Sequence, residues 1–213
     1  MKSKLVFSLL LIGTTFFQAC DIMDSDSQNS KNGQSEITEK SEESLTEQES
    51  TDLYQLRDEE FLAKDIYDYA YEKYQNEIFN NISQSEQSHT DAVLNLLNLY
   101  EIEDPAANHQ AGVYDNEELQ AIYDQLVAQV DISEQDALHV GATIEDLDIY
   151  DIELLESHTE NKDLLNVYSK LKCGSRNHMR SFTSSLESNY LAQFLTQENI
   201  DEIVNSEKEK CGN

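Results

Sequence analysis

Only 14 of the 213 side chains are lysine or arginine, against 43 aspartates and glutamates, which leaves a net charge of −29. With so few cations no basic patch can form, so nucleic acid is excluded as a partner, as is close contact with anionic lipid headgroups. Proline occurs once, at Pro105, and glycine six times. No stretch shows the alternation of a half-buried strand, and the chain reads as all-α. No internal repeat of about 20 to 50 residues stands out, which argues against a solenoid. The apolar run from Leu5 to Phe17 is too short to cross a bilayer, since a spanning helix needs about 20 residues. Cysteine occurs three times, at Cys20, Cys173 and Cys211.

What is present at the N-terminus has the form of an export signal. Lys2 and Lys4 precede the apolar run, as in a signal-peptide core. The run ends in Phe17-Gln18-Ala19-Cys20, which resembles the lipobox of bacterial lipoproteins, with Phe17 where leucine is usual. The expectation is a signal peptide over residues 1–19 and lipid attachment at Cys20, with the protein in the cell envelope facing the periplasm or exterior. Residues 20–50 are Ser, Glu, Asp, Gln and Asn with almost nothing apolar, the composition of a flexible acidic tether. About 30 such residues span roughly 30 Å. Cys173 and Cys211 then face an oxidising compartment. They either form a disulfide tying the tail to the last long helix, or remain as a buried free Cys173 and a disordered Cys211.

Residues 51–207 form one domain, of ordinary single-core size. The apolar periodicity predicts helices over about 51–75, 78–101, 115–129, 133–157, 161–188 and 197–206. Ser133 with Asp136 resembles a helix start, and Thr159 or Asn161, and Thr196, are the expected caps of the last two helices. The first and second long helices are joined tightly, as are the third and fourth. Some 30 residues that include the short helix separate the two pairs. Two antiparallel hairpins joined by a long crossover make a ferritin-like four-helix bundle, here with a short C-terminal helix added.

Each long helix breaks its apolar seam with polar, metal-friendly residues. Glu60 interrupts Leu53, Leu56, Ala63 and Tyr67; Glu86 and His89 interrupt Ile82, Val93 and Leu96. Glu145 and Asp148 interrupt Leu138, Gly141 and Ile152, and His178, with Ser175, interrupts Leu164, Tyr168, Leu171 and Phe182. Spacings of three and four point these side chains into the bundle. Several buried carboxylates need a compensating charge, and a pair of metal ions supplies it. Glu86-Gln87-Ser88-His89 is a Glu-x-x-His pair that puts two ligands on one helix face. Glu59 competes with Glu60 from one residue off the seam. Asp146 and Asp151 fall outside the seam and are expected in solvent. Tyr67, Tyr100, Tyr150 and Tyr168 lie near it as core aromatics with a hydrogen-bonded hydroxyl, electron transfer being the alternative, and surface roles are expected for His109, His139 and His158. A standard di-metal carboxylate bundle has a second Glu-x-x-His. Here Ser175 stands where that glutamate belongs, and Asp148 is the candidate to replace it.

The segments Arg57-Asp-Glu-Glu60, Lys64-Asp-Ile-Tyr67, Ile82 to Val93, Gly141 to Ile149 and Gly174 to Phe182 together resemble a bacterial and archaeal ferritin-like domain family catalogued as a domain of unknown function. The resemblance implies the ferritin-like fold and a metal site, and no substrate. The candidate ligands are therefore Glu60, Glu86, His89, Glu145, Asp148 and His178. Carboxylate and imidazole donors without thiolate suit iron or manganese as cofactor, two ions per site. Such a pair is capable of oxidase or peroxidase-type redox chemistry. The competing reading is a non-enzymatic envelope interaction module with a degenerate metal site, and a mineral-storing cage sits awkwardly with a lipid tether. The partners left are metal ions, the membrane through the N-terminal lipid alone, and a second copy of the chain in a homodimer.

Overall fold

The computed structural model describes residues 44–212. The expected signal peptide, Cys20 and most of the expected tether lie outside the described residues. Six helices and no strand occur among those residues: α1 (Glu47–Tyr74), α2 (Glu77–Leu99), α3 (Glu117–Val130), α4 (Glu134–Ser157), α5 (Lys162–Thr183) and α6 (Gln197–Asn205). None is long and apolar enough to cross a membrane.

Side-chain caps set the helix starts. Asn76, Asn116, Ser133, Asn161 and Thr196 each accept a hydrogen bond from a backbone N–H of the first turn that has no helical partner. α1 starts at Glu47, about four residues before the sequence expectation. Thr46 and Glu49 form a reciprocal capping box there, and Leu45 packs on the apolar core. The last residues of the expected tether therefore belong to the fold. α5 ends at Thr183, short of the expected 188, because the chain beyond it wraps around Asp146 of α4.

Gln75 in left-handed backbone (φ 53°) and Asn76 complete the α1–α2 connection, so these helices form an antiparallel hairpin. Asn76 hydrogen-bonds Glu134 at 2.8 Å and Tyr74 donates to the Val130 carbonyl at 2.6 Å, while His158 contacts Asp52 at 2.9 Å. The end of α1 thus meets the start of α4 and the reverse, making the two antiparallel. Tyr100 bonds Asp163 at 3.1 Å, which sets α2 antiparallel to α5. Each long helix packs on two others, α1 on α2 and α4, α5 on α4 and α2, so the four close a ring. α2 and α4 then run parallel, and the segment between them must travel the length of the ring, as residues 100–133 do. α3, within it, rests on α4 and α1.

Buried acids pin the loops. Asp65 accepts from Gly112 N (2.7 Å) and Tyr114 Oη (2.8 Å), and meets His109 Nε2 at 2.9 Å. Arg57 pairs with Asp104 at 3.0 Å and stacks over Phe61, on which His109 also lies. Asp146, expected in solvent, is buried and accepts from Tyr190 Oη and from the backbone N–H groups of Gln193, Phe194 and Leu195 at 2.6–3.2 Å. His109, expected on the surface, is thus part of the crossover's packing, and His158 is tied to α1. The tail is fastened by a Cys173–Cys211 disulfide, one of the two alternatives left open by the sequence, and by Glu209, which Arg176 and Arg180 hold.

Two apolar regions flank a polar belt. At one end Leu53, Leu56, Val93, Leu97, Ile152, Leu164 and Tyr168 pack together. Toward the other, Tyr67 and Phe79 pack with tilted rings on Phe182, and Gly141 leaves room for Phe182, whose ring would lie 2.5 Å from any Cβ there.

Candidate metal centre

The belt is formed by one or two side chains from each long helix: Glu60 of α1, Glu86 and His89 of α2, Glu145 of α4 and His178 of α5. All are buried; Glu86 and Glu145 are 0 % exposed and the two histidines 7 %. Their donor atoms fall into two groups, Glu60–Glu86–His89 and Glu86–Glu145–His178, within each of which the ligand atoms lie no more than 4.8 Å apart. Glu86 belongs to both. Its Oε2 is 2.8 Å from His89 Nδ1 and its Oε1 is 2.8 Å from His178 Nδ1. His89 Nδ1 also reaches Glu60 Oε2 at 3.1 Å, and His178 Nδ1 lies 3.4 Å from Glu145 Oε2.

Several of these approaches are close in distance yet lack hydrogen-bond direction. Both oxygens of Glu86, Oε2 of Glu145 and Nδ1 of His178 are buried without any hydrogen-bond partner. Folded proteins pair nearly all such atoms. Here four orphans converge on one small volume, and three carboxylates with two imidazoles form a donor set that fits bound cations. The outward edges are satisfied. His178 Nε2 bonds Ser85 Oγ at 2.9 Å, which orients the ring with Nδ1 inward, as partners of ligating histidines do. Tyr67 donates to Glu145 Oε1 at 2.6 Å. Gly174 makes space for His89: a Cβ at that position would sit 2.5 Å from His89 Nε2.

Electrostatics follow from burial. Burial is the largest influence on every group and disfavours its charged form. It raises Glu60 to about 7, although His89 pulls the other way. It raises Glu145 too, against the attraction of His178. Glu86 ends below the usual carboxylate range because two histidines flank it and outweigh burial. His89 is held well above the usual histidine value by Glu86 and Glu60, and His178 is raised to about 9 by Glu86 and Glu145. In the metal-free protein, then, imidazolium protons supply the positive charge that a cation would otherwise bring.

Of the sequence candidates, the structure brings Glu60, Glu86, His89, Glu145 and His178 together. Asp148 is buried one turn from Glu145 but belongs to neither group. Glu59 belongs to neither group and accepts from Gln55 at 2.8 Å. Ser175 turns its hydroxyl to the Leu171 carbonyl at 3.2 Å and takes no part. Tyr67 and Tyr168 are core residues, whereas Tyr150 is exposed. Sequence reasoning missed Ser85 and Gly174. Only Gly174 carried a signal, since glycine inside a helix costs about 1 kcal/mol relative to alanine and implies a packing demand.

Fold and belt define an all-helical domain whose four long helices surround buried carboxylate–histidine groups able to hold a metal ion. The chain belongs to the family described as an uncharacterized protein domain, DUF2202, whose model matches residues 49–207. It is 46 % identical over 169 residues to the uncharacterized protein MJ0754 of Methanocaldococcus jannaschii, an alignment covering 78 % of this chain and 91 % of the relative. The crystal structure of hypothetical protein MJ0754 from Methanococcus jannaschii DSM 2661 superposes with a TM-score of 0.77 at 46 % identity, over 79 % of this chain and 98 % of that one.

Proposed function

We propose that this protein binds two metal ions, iron or manganese, in the core of a ferritin-like four-helix bundle, with Glu86 as the bridge between them. The observation that supports this most is the pair of three-residue groups sharing one buried glutamate whose two oxygens lack hydrogen bonds. Glu60 and His89 would hold one ion, Glu145 and His178 the other. The hairpin–crossover–hairpin order accords with that fold. The donors are oxygen and nitrogen, and Cys173 is tied up in a disulfide, so hard or borderline ions suit the site better than thiolate-seeking ones.

Two such ions, when bound, would supply Lewis acidity and the electrons that reduce dioxygen or peroxide. The chain's own residues would do the rest. Tyr67 fixes one oxygen of Glu145, Ser85 sets the His178 ring, and the flanking apolar layers keep bulk water out. Attachment of a lipid at Cys20 would present the domain at the cell envelope, facing the periplasm or exterior.

Metal analysis tests the proposal. After reconstitution with Fe(II) or Mn(II), about two equivalents per chain should remain, and Glu86→Gln should retain fewer than half of them. Less than about 0.2 equivalents of any transition metal in the unaltered protein would contradict it.

A second reading has an observation of its own. His89 and His178 neutralise much of the carboxylate charge without metal, as a bundle serving only as an interaction module would require. On that reading, metal addition leaves the thermal midpoint unchanged. A bound ion raises it with concentration.

A further inference from the structure

Along α4 the acids Glu145, Asp148 and Asp151 follow one another at a spacing of three residues. Each such step turns the side chain back by about 60° around the helix axis, so the row winds from the centre of the bundle toward the groove between α4 and α1. Glu145 is its inner end and belongs to the metal groups. Asp151 is its outer end. It is 2 % exposed, and neither of its oxygens has a hydrogen-bond partner. The surface is close by, for Leu154, the next position of the same row, and Tyr150 on the same flank are 43 % and 45 % exposed.

α1 faces this row with Glu59 and Glu60. Glu59 and Asp151 are close enough across the α1–α4 contact for their charges to act on each other. Asp148 is pushed up by burial and then by Glu145, Glu60, Glu86 and Glu59. Asp148 therefore lies within electrostatic reach of both the inner and the outer acids, and the charges acting on it are all acidic. Away from the metal groups, the buried acids Asp65 and Asp146 are surrounded by donors. Asp151 has none. A dehydrated carboxylate beside other carboxylates needs a proton or a cation.

We propose that Glu59, Asp151 and Asp148 form the path by which divalent cations enter the buried site, Glu59 and Asp151 taking the ion from the α1–α4 groove and Asp148 passing it to Glu60 and Glu145. This rests on the reading of the inner residues as a metal centre. The outer acids do not converge as the inner ones do, which suits brief occupancy over tight binding. Carboxylates in a low-dielectric groove also raise the local cation concentration and the rate of entry.

The test is stopped-flow loading of the metal-free full chain with Co(II), with final stoichiometry measured separately. Asp151→Asn with Glu59→Gln should slow loading by about tenfold or more while the final stoichiometry stays at the unaltered protein's value. Glu118→Gln, an exposed acid on α3, should leave the rate within about twofold. That control separates a local path from the general field of an acidic chain. If the double variant does not fold by circular dichroism, Glu59→Gln alone carries the test, since Glu59 is half-exposed. Loading by the variant within about twofold of the unaltered rate overturns the path and directs entry to the α2–α5 side, where the histidines lie. Slow loading with reduced stoichiometry also overturns it, because the residues would then be ligands of the inner site. No uptake by the unaltered protein removes the inner centre as well, and is distinguishable for that reason.

Discussion

Gly174→Ala should disable one half of the proposed centre and spare the other. The new methyl would lie 2.5 Å from Nε2 and 2.8 Å from Cε1 of His89, but 3.9 Å from the nearest atom of His178. Ordinary contact distances are about 3.5–4.0 Å, so the His89 ring must retreat by about 1 Å whereas His178 need not move. Metal–ligand distances tolerate about 0.2 Å. The Glu60–Glu86–His89 group should therefore lose about 10–100-fold in affinity, the range seen when support of a ligating histidine is disturbed. Stability changes less. Alanine gains up to about 1 kcal/mol of helix propensity over glycine, against about 1–3 kcal/mol for overpacking, a net loss of about 0–2 kcal/mol. Calorimetric titration with Mn(II) should resolve one tight and one weakened ion in place of two tight ones. Two unweakened ions, or equal loss of both, would refute the division of the site into halves around Glu86.

Three other outcomes follow from features around the site. Replacing Cys173 and Cys211 by serine opens a loop with a sequence separation of 38; loop-closure entropy puts the loss near 4 kcal/mol, measurable by urea denaturation. Glu209 is held at about 2, below its ordinary 4.5, chiefly by its hydrogen bonds to Arg176. Its depressed value means that its help in docking the tail is complete above about pH 4.5 and vanishes as pH falls through 2. Hydrogen exchange in residues 207–212 of the reduced protein should show that loss, and Glu209→Ala should flatten the profile. Asp146→Ala strands four donors from the segment 190–195 and should cost about 3–5 kcal/mol in equilibrium unfolding. A cost under about 1 kcal/mol would mean that water replaces the carboxylate.

The helices and the belt were legible because both depend on local spacing. Alternation of three and four placed Glu60, Glu86, His89, Glu145 and His178 on inward faces, and Ser133, Asn161 and Thr196 announced their helices by capping chemistry. What escaped depends on partners distant in sequence. Asp146 looked solvated because it is off the seam, yet a loop 44 to 49 residues later supplies its donors. Asp65 and His109 likewise meet only after the crossover folds back. The start of α1 was hidden by composition, since Thr46 and Glu49 resemble the tether before them until their reciprocal capping is seen. Asp148 was read as the substitute for the glutamate missing at Ser175. In the structure Asp148 belongs to neither donor group and Glu86 to both, an arrangement that spacing along a single helix cannot reveal.

The most direct test of the central claim is a crystal structure of the protein grown with Mn(II), with anomalous scattering recorded at the manganese edge. Two peaks about 3.5–4 Å apart, one beside His89, one beside His178 and Glu86 between them, are predicted. A single peak, no peak, or a Glu86 carboxylate that touches neither ion would contradict the account.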